Sequence, residues 1–276
     1  MNRKILNLLL ISLALAVVLF SCQQSPPPEL SKQSDELAEP TKEVAKEAKP
    51  VQKEAAKPKP RVWPYIAEGQ KDYALAENLI AKNFILVFDG SGSMNDSNCS
   101  GSKSKIDVAK EAVIEWSQTI PPDSNLGLVA FHRGGDNGWT VLQLTPKSQS
   151  KNFVAAVKSI EADNNTPLAT AFKLAYGILT KQAQNQLGYG EYTIVAVTDG
   201  EDNDRHESLK DWIRRILNNS PIRIYTIGFC IKGGHSLNQP NRMTYREAND
   251  PAELRKGLKE VLAEAESFDI TEFSKK

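Results

Sequence analysis

Phe84-Ile85-Leu86-Val87-Phe88 runs straight into Asp89-Gly90-Ser91-Gly92-Ser93-Met94, and this junction decides the fold. An unbroken apolar run suits a strand buried on both faces, as in a parallel sheet covered by helices. The glycines let the chain turn sharply at the strand end and present one carboxylate and two hydroxyls at alternate positions. Asp and Ser are also ordinary turn formers, so the loop alone does not specify a function. A second apolar run, Ile194-Val195-Ala196-Val197-Thr198, ends the same way in Asp199-Gly200-Glu201-Asp202-Asn203. If the two strands were neighbours, Asp89 and Asp199 would share a partly dry pocket and repel, and a divalent cation would remove that conflict. Carboxylate and hydroxyl oxygens favour Mg2+ over Zn2+, which prefers His and Cys.

Asn164-Asn165-Thr166-Pro167 supplies a third oxygen donor. Pro167 suits the first position of a helix and Thr166 its N-cap, with Leu168, Ala171, Phe172, Ala175, Ile178 and Leu179 following at helical spacing. The order DxSxS, then Thr, then Asp, each at the mouth of a regular element, resembles the von Willebrand factor A family and its metal-ion-dependent adhesion site. The resemblance extends over roughly residues 72 to 266. It implies that Asp89, Ser91, Ser93, Thr166 and Asp199 bind Mg2+, with Mn2+ or Ca2+ as substitutes, the aspartates directly or through water. It further implies a protein partner that offers an acidic side chain to the ion, which is adhesion chemistry and not catalysis. Two departures from the family pattern stand out. The polar stretch Asn95 to Ser102 separates the motif from the next helix, and Asp163-Asn164-Asn165 replaces a glycine pair before the threonine, which leaves Thr170, one turn later, as the alternative to Thr166.

The expected fold class is α/β: a doubly wound, Rossmann-like, mostly parallel sheet with one antiparallel edge strand and helices on both faces. Strands are expected near 84 to 88, 126 to 131, 140 to 145, 192 to 198 and 222 to 229, with a weak sixth near 243 to 247. The second and third lack an intervening helix and read as a hairpin. Ser104 caps a helix with core positions Ile106, Ala109, Val113 and Trp116, and a later helix presents Leu209, Trp212, Ile213, Ile216 and Leu217. Asp250, Pro251 and Glu253 form a capping box before the last helix. In such sheets ligands gather beyond the carboxyl ends of the strands where strand order reverses, here the strands starting near 84 and 192.

Residues 1–21 read as a signal peptide: Arg3 and Lys4 precede an apolar stretch from Leu8 to Phe20, short for a membrane span. Leu19-Phe20-Ser21-Cys22 resembles a bacterial lipobox, with a conventional secretory signal as the alternative. Cys22 would then carry the lipid (palmitate among its chains), anchoring the protein in the cell envelope, and Gln23 inclines the choice toward the outer membrane. More than one acyl chain is needed for stable anchoring. Residues 22–62, rich in Pro, Lys and Glu, form a solvated tether whose roughly 40 residues span about 35 Å as a flexible coil. Residues 63–80 read as a lead-in, 81–266 as the domain and 267–276 as a tail. Lys and Arg number 34 and Asp and Glu 34, so no basic field for nucleic acid is present.

Cys99 and Cys230 are both expected near the metal-bearing rim, and export makes a disulfide possible. Closing a loop of about 130 residues would stabilise by roughly 5 kcal/mol. Against it, the strands that launch them would be two apart, near 10 Å, beyond the roughly 7 Å between bridged Cα atoms, so the polar insertion would have to lean across. The question stays open at this level. His132, His206 and His235 read as surface or loop residues, with a place for His132 and His235 on the metal-bearing rim, in contact with a partner, as the alternative, and the acids after Asp199 read as solvated. A phosphatase would want a second acid where Ser91 stands, the spacing fails the serine-hydrolase elbow, and no GxxxxGK[ST] loop is present. A binding module is therefore expected, with two alternatives: an assembly factor whose metal site is vestigial, and a metal-dependent hydrolase.

Overall fold

The computed structural model describes residues 63–66, 74–163, 165–231, 234–239 and 242–266. The expectations for the signal peptide, Cys22, the tether and the tail lie outside those residues. Six strands, β1 (Lys82–Asp89), β2 (Asn125–Asp136), β3 (Trp139–Pro146), β4 (Glu191–Thr198), β5 (Arg223–Phe229) and β6 (Thr244–Ala248), form one sheet in the order β3-β2-β1-β4-β5-β6. Every pairing is parallel except β2 with β3. That hairpin turns at Asn137-Gly138, both at positive φ (53° and 86°), the pair a tight two-residue turn demands.

The apolar run of β1 is divided between two cores. Phe84, Leu86 and Phe88 face α1 (Lys105–Thr119), α2 (Ser150–Ser159) and α5 (Pro251–Glu266), while Ile85 and Val87 face α3 (Leu168–Asn185) and α4 (Leu209–Asn219). Side chains alternate across a strand, so a strand covered on both faces must be apolar at every position. Leu86 and Val87 are wholly buried, and each such side chain contributes about 1.5–3 kcal/mol. The expected capping holds for α1, where Ser104 Oγ accepts from Asp107 N, and for α5, where Asp250 Oδ1 accepts from Ala252 N and Glu253 N. Glu253 reaches back one residue further than a capping box predicts, to Asn249 N.

Several expectations are corrected. The sixth strand expected near 243 to 247 is present as β6, a parallel partner of β5, whereas α2 is an element the sequence pattern did not disclose. Helix α3 begins at Leu168, with Pro167 outside it at φ −81° and ψ 63°, so neither Pro167 nor Thr166 plays its expected part. Its first amides are met instead by Asp202, whose Oδ1 accepts from Ala169 N at 3.0 Å, and by Asp204, whose Oδ2 accepts from Thr170 N at 3.0 Å. These acids are therefore structural caps from another loop and are not simply solvated; carboxylates suit the positive end of a helix dipole. His132 and His235 are buried at 2% and 5% exposure. The lead-in packs on the domain: Pro64 is buried and the Trp63 ring meets Tyr192 edge-on at 5.0 Å.

Candidate functional site

The strand register sets out the site. Phe88 pairs with Val197, so the next residues along the two strands, Asp89 and Thr198, stand level and Asp199 lies one step further out. Asp89 is fully buried; its Oδ2 accepts from Thr198 Oγ1 at 2.5 Å and its Oδ1 from Ser91 N at 2.8 Å. Burial pushes its carboxyl up to about 6, the bonds from Ser91 and Thr198 acting in the opposite direction. Gly90 follows with no room for a side chain, since a Cβ there would come within 2.6 Å of Phe131 O. Its carbonyl accepts from Asp163 N at 2.9 Å, which draws the loop carrying Thr166 toward the DxSxS turn.

A short 3₁₀ turn, Gly92–Asn95, then carries Ser93 over the sheet edge. The Ser91 and Ser93 hydroxyl oxygens lie 3.2 Å apart, and Ser93 Oγ donates to Asp199 Oδ1 at 2.7 Å. Thr166 arrives from the third segment, held by Asn203: Thr166 N donates to Asn203 Oδ1 at 2.8 Å and Asn203 N to Thr166 O at 3.1 Å. Its hydroxyl borders the same space, for a methyl group at Gly200 would stand 3.7 Å from Thr166 Oγ1 and 4.0 Å from Ser93 Oγ. Thr170 is engaged elsewhere, donating to Asp204 Oδ2 at 2.5 Å. All five expected residues thus meet at the carboxyl ends of β1 and β4, and the choice of Thr166 over Thr170 has a geometric reason.

The donor set fits a hard dication. It consists of two carboxylates and three hydroxyls, and Gly200 leaves unfilled the space that a Cβ would take. One feature was not read from the sequence: Lys105 Nζ donates to Asp199 Oδ2 at 2.7 Å, with side-chain exposures of 6% for Lys105 and 0% for Asp199. A signal was available, because Lys105 lies in register with Ala109, Ala112 and Trp116 on the buried face of α1. Thr198 was missed as well, whereas His235 does stand at the rim, buried and bonded to the chain's own loop. His235 Nδ1 accepts from Leu237 N, which makes Nε2 the donor in its 2.7 Å bond to Gly200 O and steadies the loop beneath Thr166.

The cysteines settle the open question of the bridge. Cys99 and Cys230 are joined, with Cα atoms 6.0 Å apart, although their strands β1 and β5 are separated by β4. The polar insertion does lean across, and both cysteines adopt positive φ, 56° and 62°, to meet.

Residues 84–201 match the model of the von Willebrand factor type A domain. Over that segment the chain is similar to the von Willebrand factor A family. It is 27% identical over 177 residues to the uncharacterized protein YwmD of Bacillus subtilis (strain 168), covering 59% of this chain and 76% of that one. Among solved structures it resembles the pilus adhesin SpaC of Lactobacillus rhamnosus GG, with a TM-score of 0.53 and 14% identity over 70% of this chain and 30% of SpaC. A von Willebrand factor type A protein of Catenulispora acidiphila aligns with a TM-score of 0.51 and 20% identity, over 67% of this chain and 42% of its own. The domain thus spans less than half of either solved chain, and at these identities the likeness is one of fold.

Proposed function

We propose that this A domain captures a protein partner through a divalent cation, Mg2+ or in its place Mn2+ or Ca2+, at the carboxyl ends of β1 and β4. The observation that carries the reading is the convergence of two segments at the carboxyl ends of β1 and β4, one with Asp89, Ser91 and Ser93 and the other with Thr166, where Ser93 and Thr166 border the space left beside Gly200. Asp199 supports the set through Ser93 and stays within reach. When bound, the ion supplies a Lewis-acidic centre that accepts one carboxylate from the partner. The chain's own residues hold the donors in place: Thr198 orients Asp89, Asn203 fixes Thr166, and Gly90 couples their loops. Employment of a related fold in the pilus adhesin SpaC accords with an adhesive role. Through a lipid on Cys22 and the Pro-, Lys- and Glu-rich tether, the domain would stand off a bacterial envelope membrane, preferably the outer one.

Crosslinking and pull-down from native envelopes, with and without EDTA, tests the reading. Asp89→Ala is expected to abolish both partner capture and the rise in melting temperature on adding Mg2+. Capture that survives the substitution and EDTA alike sinks it. Loss of palmitate labelling in Cys22→Ser is the corresponding test of the anchor.

A second reading is favoured by the Lys105–Asp199 pair, in which an ammonium already supplies positive charge at the rim. On that reading the domain is an assembly factor whose metal site is vestigial. Calorimetric titration with Mg2+ and Mn2+ separates the two, since the assembly factor shows no heat of binding.

A further inference from the structure

Lys105 is placed with more care than a surface ion pair requires. Its backbone N donates to Asp96 O at 2.8 Å, Ser104 caps the helix it opens, and the preceding insertion is stitched to the end of β5 through Cys99. These restraints bring the ammonium into a nearly dry position on Asp199 Oδ2, while the other oxygen of the same carboxylate accepts from Ser93. The rim acids Asp96 and Glu201 stand exposed, where water screens them.

We infer that Lys105 makes cation binding at this site conditional on an anionic ligand, so that the partner's carboxylate and the metal bind as one cooperative unit. The inference rests on the cation reading above and adds to it a residue that sets the charge balance. Asp89 and Asp199 bring two negative charges into the pocket, and Lys105 cancels one of them. A dication then leaves an excess of one positive charge beside the buried Lys105–Asp199 pair, where charge is less screened than at the open surface near Ser93, and that excess is unfavourable. An entering carboxylate returns the sum to zero. Without Lys105 the dication would already be neutralised, and electrostatics would call for no further anion. Coupling of this kind is reciprocal: whatever the carboxylate adds to metal affinity, the metal adds to carboxylate affinity. The site would stay weakly filled until a partner presents its acid.

The test is calorimetric titration of Mn2+ into the full-length chain in detergent, in chloride and in acetate at matched ionic strength, with acetate as the carboxylate probe. In the unsubstituted chain acetate is expected to tighten Mn2+ binding at least about tenfold, and Lys105→Gln to bind Mn2+ at least about tenfold more tightly in chloride with most of the acetate increment gone. Lys105→Arg, which keeps the charge, should retain the acetate dependence. Because Lys105→Gln leaves Asp199 without its ion pair, its fold is followed by thermal melting, and Mn2+ should raise its melting temperature more than that of the unsubstituted chain. Equal Mn2+ affinity and an equal acetate increment in the two chains overturn the inference while leaving the cation site standing. Absence of heat in every chain, acetate included, overturns the cation site itself.

Discussion

The two ends of β1 both bury polar groups, and they treat them in opposite ways. At the amino end Asn83, 1% exposed, donates to Ala81 O, Gln186 Oε1 and Glu191 O and accepts from Asn125 Nδ2. Gln186, wholly buried, donates in turn to Asn78 O and Ala81 O. The side chains of this buried network are neutral, and the amides satisfy one another. At the carboxyl end Asp89 is equally buried but charged, held by a threonine and one backbone amide, with a carboxyl pushed up to about 6 by its burial. One end is closed and serves stability; the other keeps an electrostatic cost that a ligand can relieve, as sites built for binding do.

The contrast can be broken or sharpened by substitution. The largest effect is expected from opening the Cys99–Cys230 bridge at the carboxyl end, whose sequence separation is 131. Cys99→Ser with Cys230→Ser should lower stability to urea by up to about 5 kcal/mol and loosen the insertion over the site, while the amino end stays protected in hydrogen exchange. Next, Gln186→Leu strands buried donors and acceptors of the amide network and should cost about 3 kcal/mol without altering the response to Mg2+. A loss of Mg2+ response there would show that the two ends are coupled.

Asp89→Asn should do the reverse, stabilising the metal-free chain at pH 7.5 by about 2 kcal/mol while removing its response to Mg2+. The sign follows from the carboxyl, which ionises near 6 in the fold against an ordinary 3.8. The folded chain therefore holds the Asp89 proton more tightly than the unfolded chain. Its stability falls as pH rises from about 4 through 6 and levels off above, so the gain from Asn should vanish below about pH 4. Urea melts across that range decide it, and a gain independent of pH would contradict the assigned cause. The smallest effect is expected from Ser104→Ala, which removes the N-cap of α1 and should cost about 1 kcal/mol. The same change should measurably weaken the seating of Lys105, read as a larger Mn2+-induced rise in melting temperature.

How much of the site was legible follows the range of the forces involved. Asp89, Ser91 and Ser93 could be found because an apolar run ending in a glycine-rich turn is a local pattern, and the same holds for Asp199. Thr166 stands beside Gly200 for a reason other than the local one: it was read as the cap of α3, whereas Asp202 and Asp204 cap that helix from a different loop. Helix α2 escaped notice because it lacks a side-chain cap and buries only Phe153 and Val157.

The sequence by itself determined the doubly wound sheet and its antiparallel edge, because hydrophobic periodicity and turn chemistry act between residues close along the chain. Only the tertiary structure decided that Thr198 stands level with Asp89, that Lys105 sits on Asp199, and that Cys99 crosses a strand to reach Cys230. Each of those depends on inter-strand register and on the backbone path of an insertion, which long-range packing sets and no local pattern encodes.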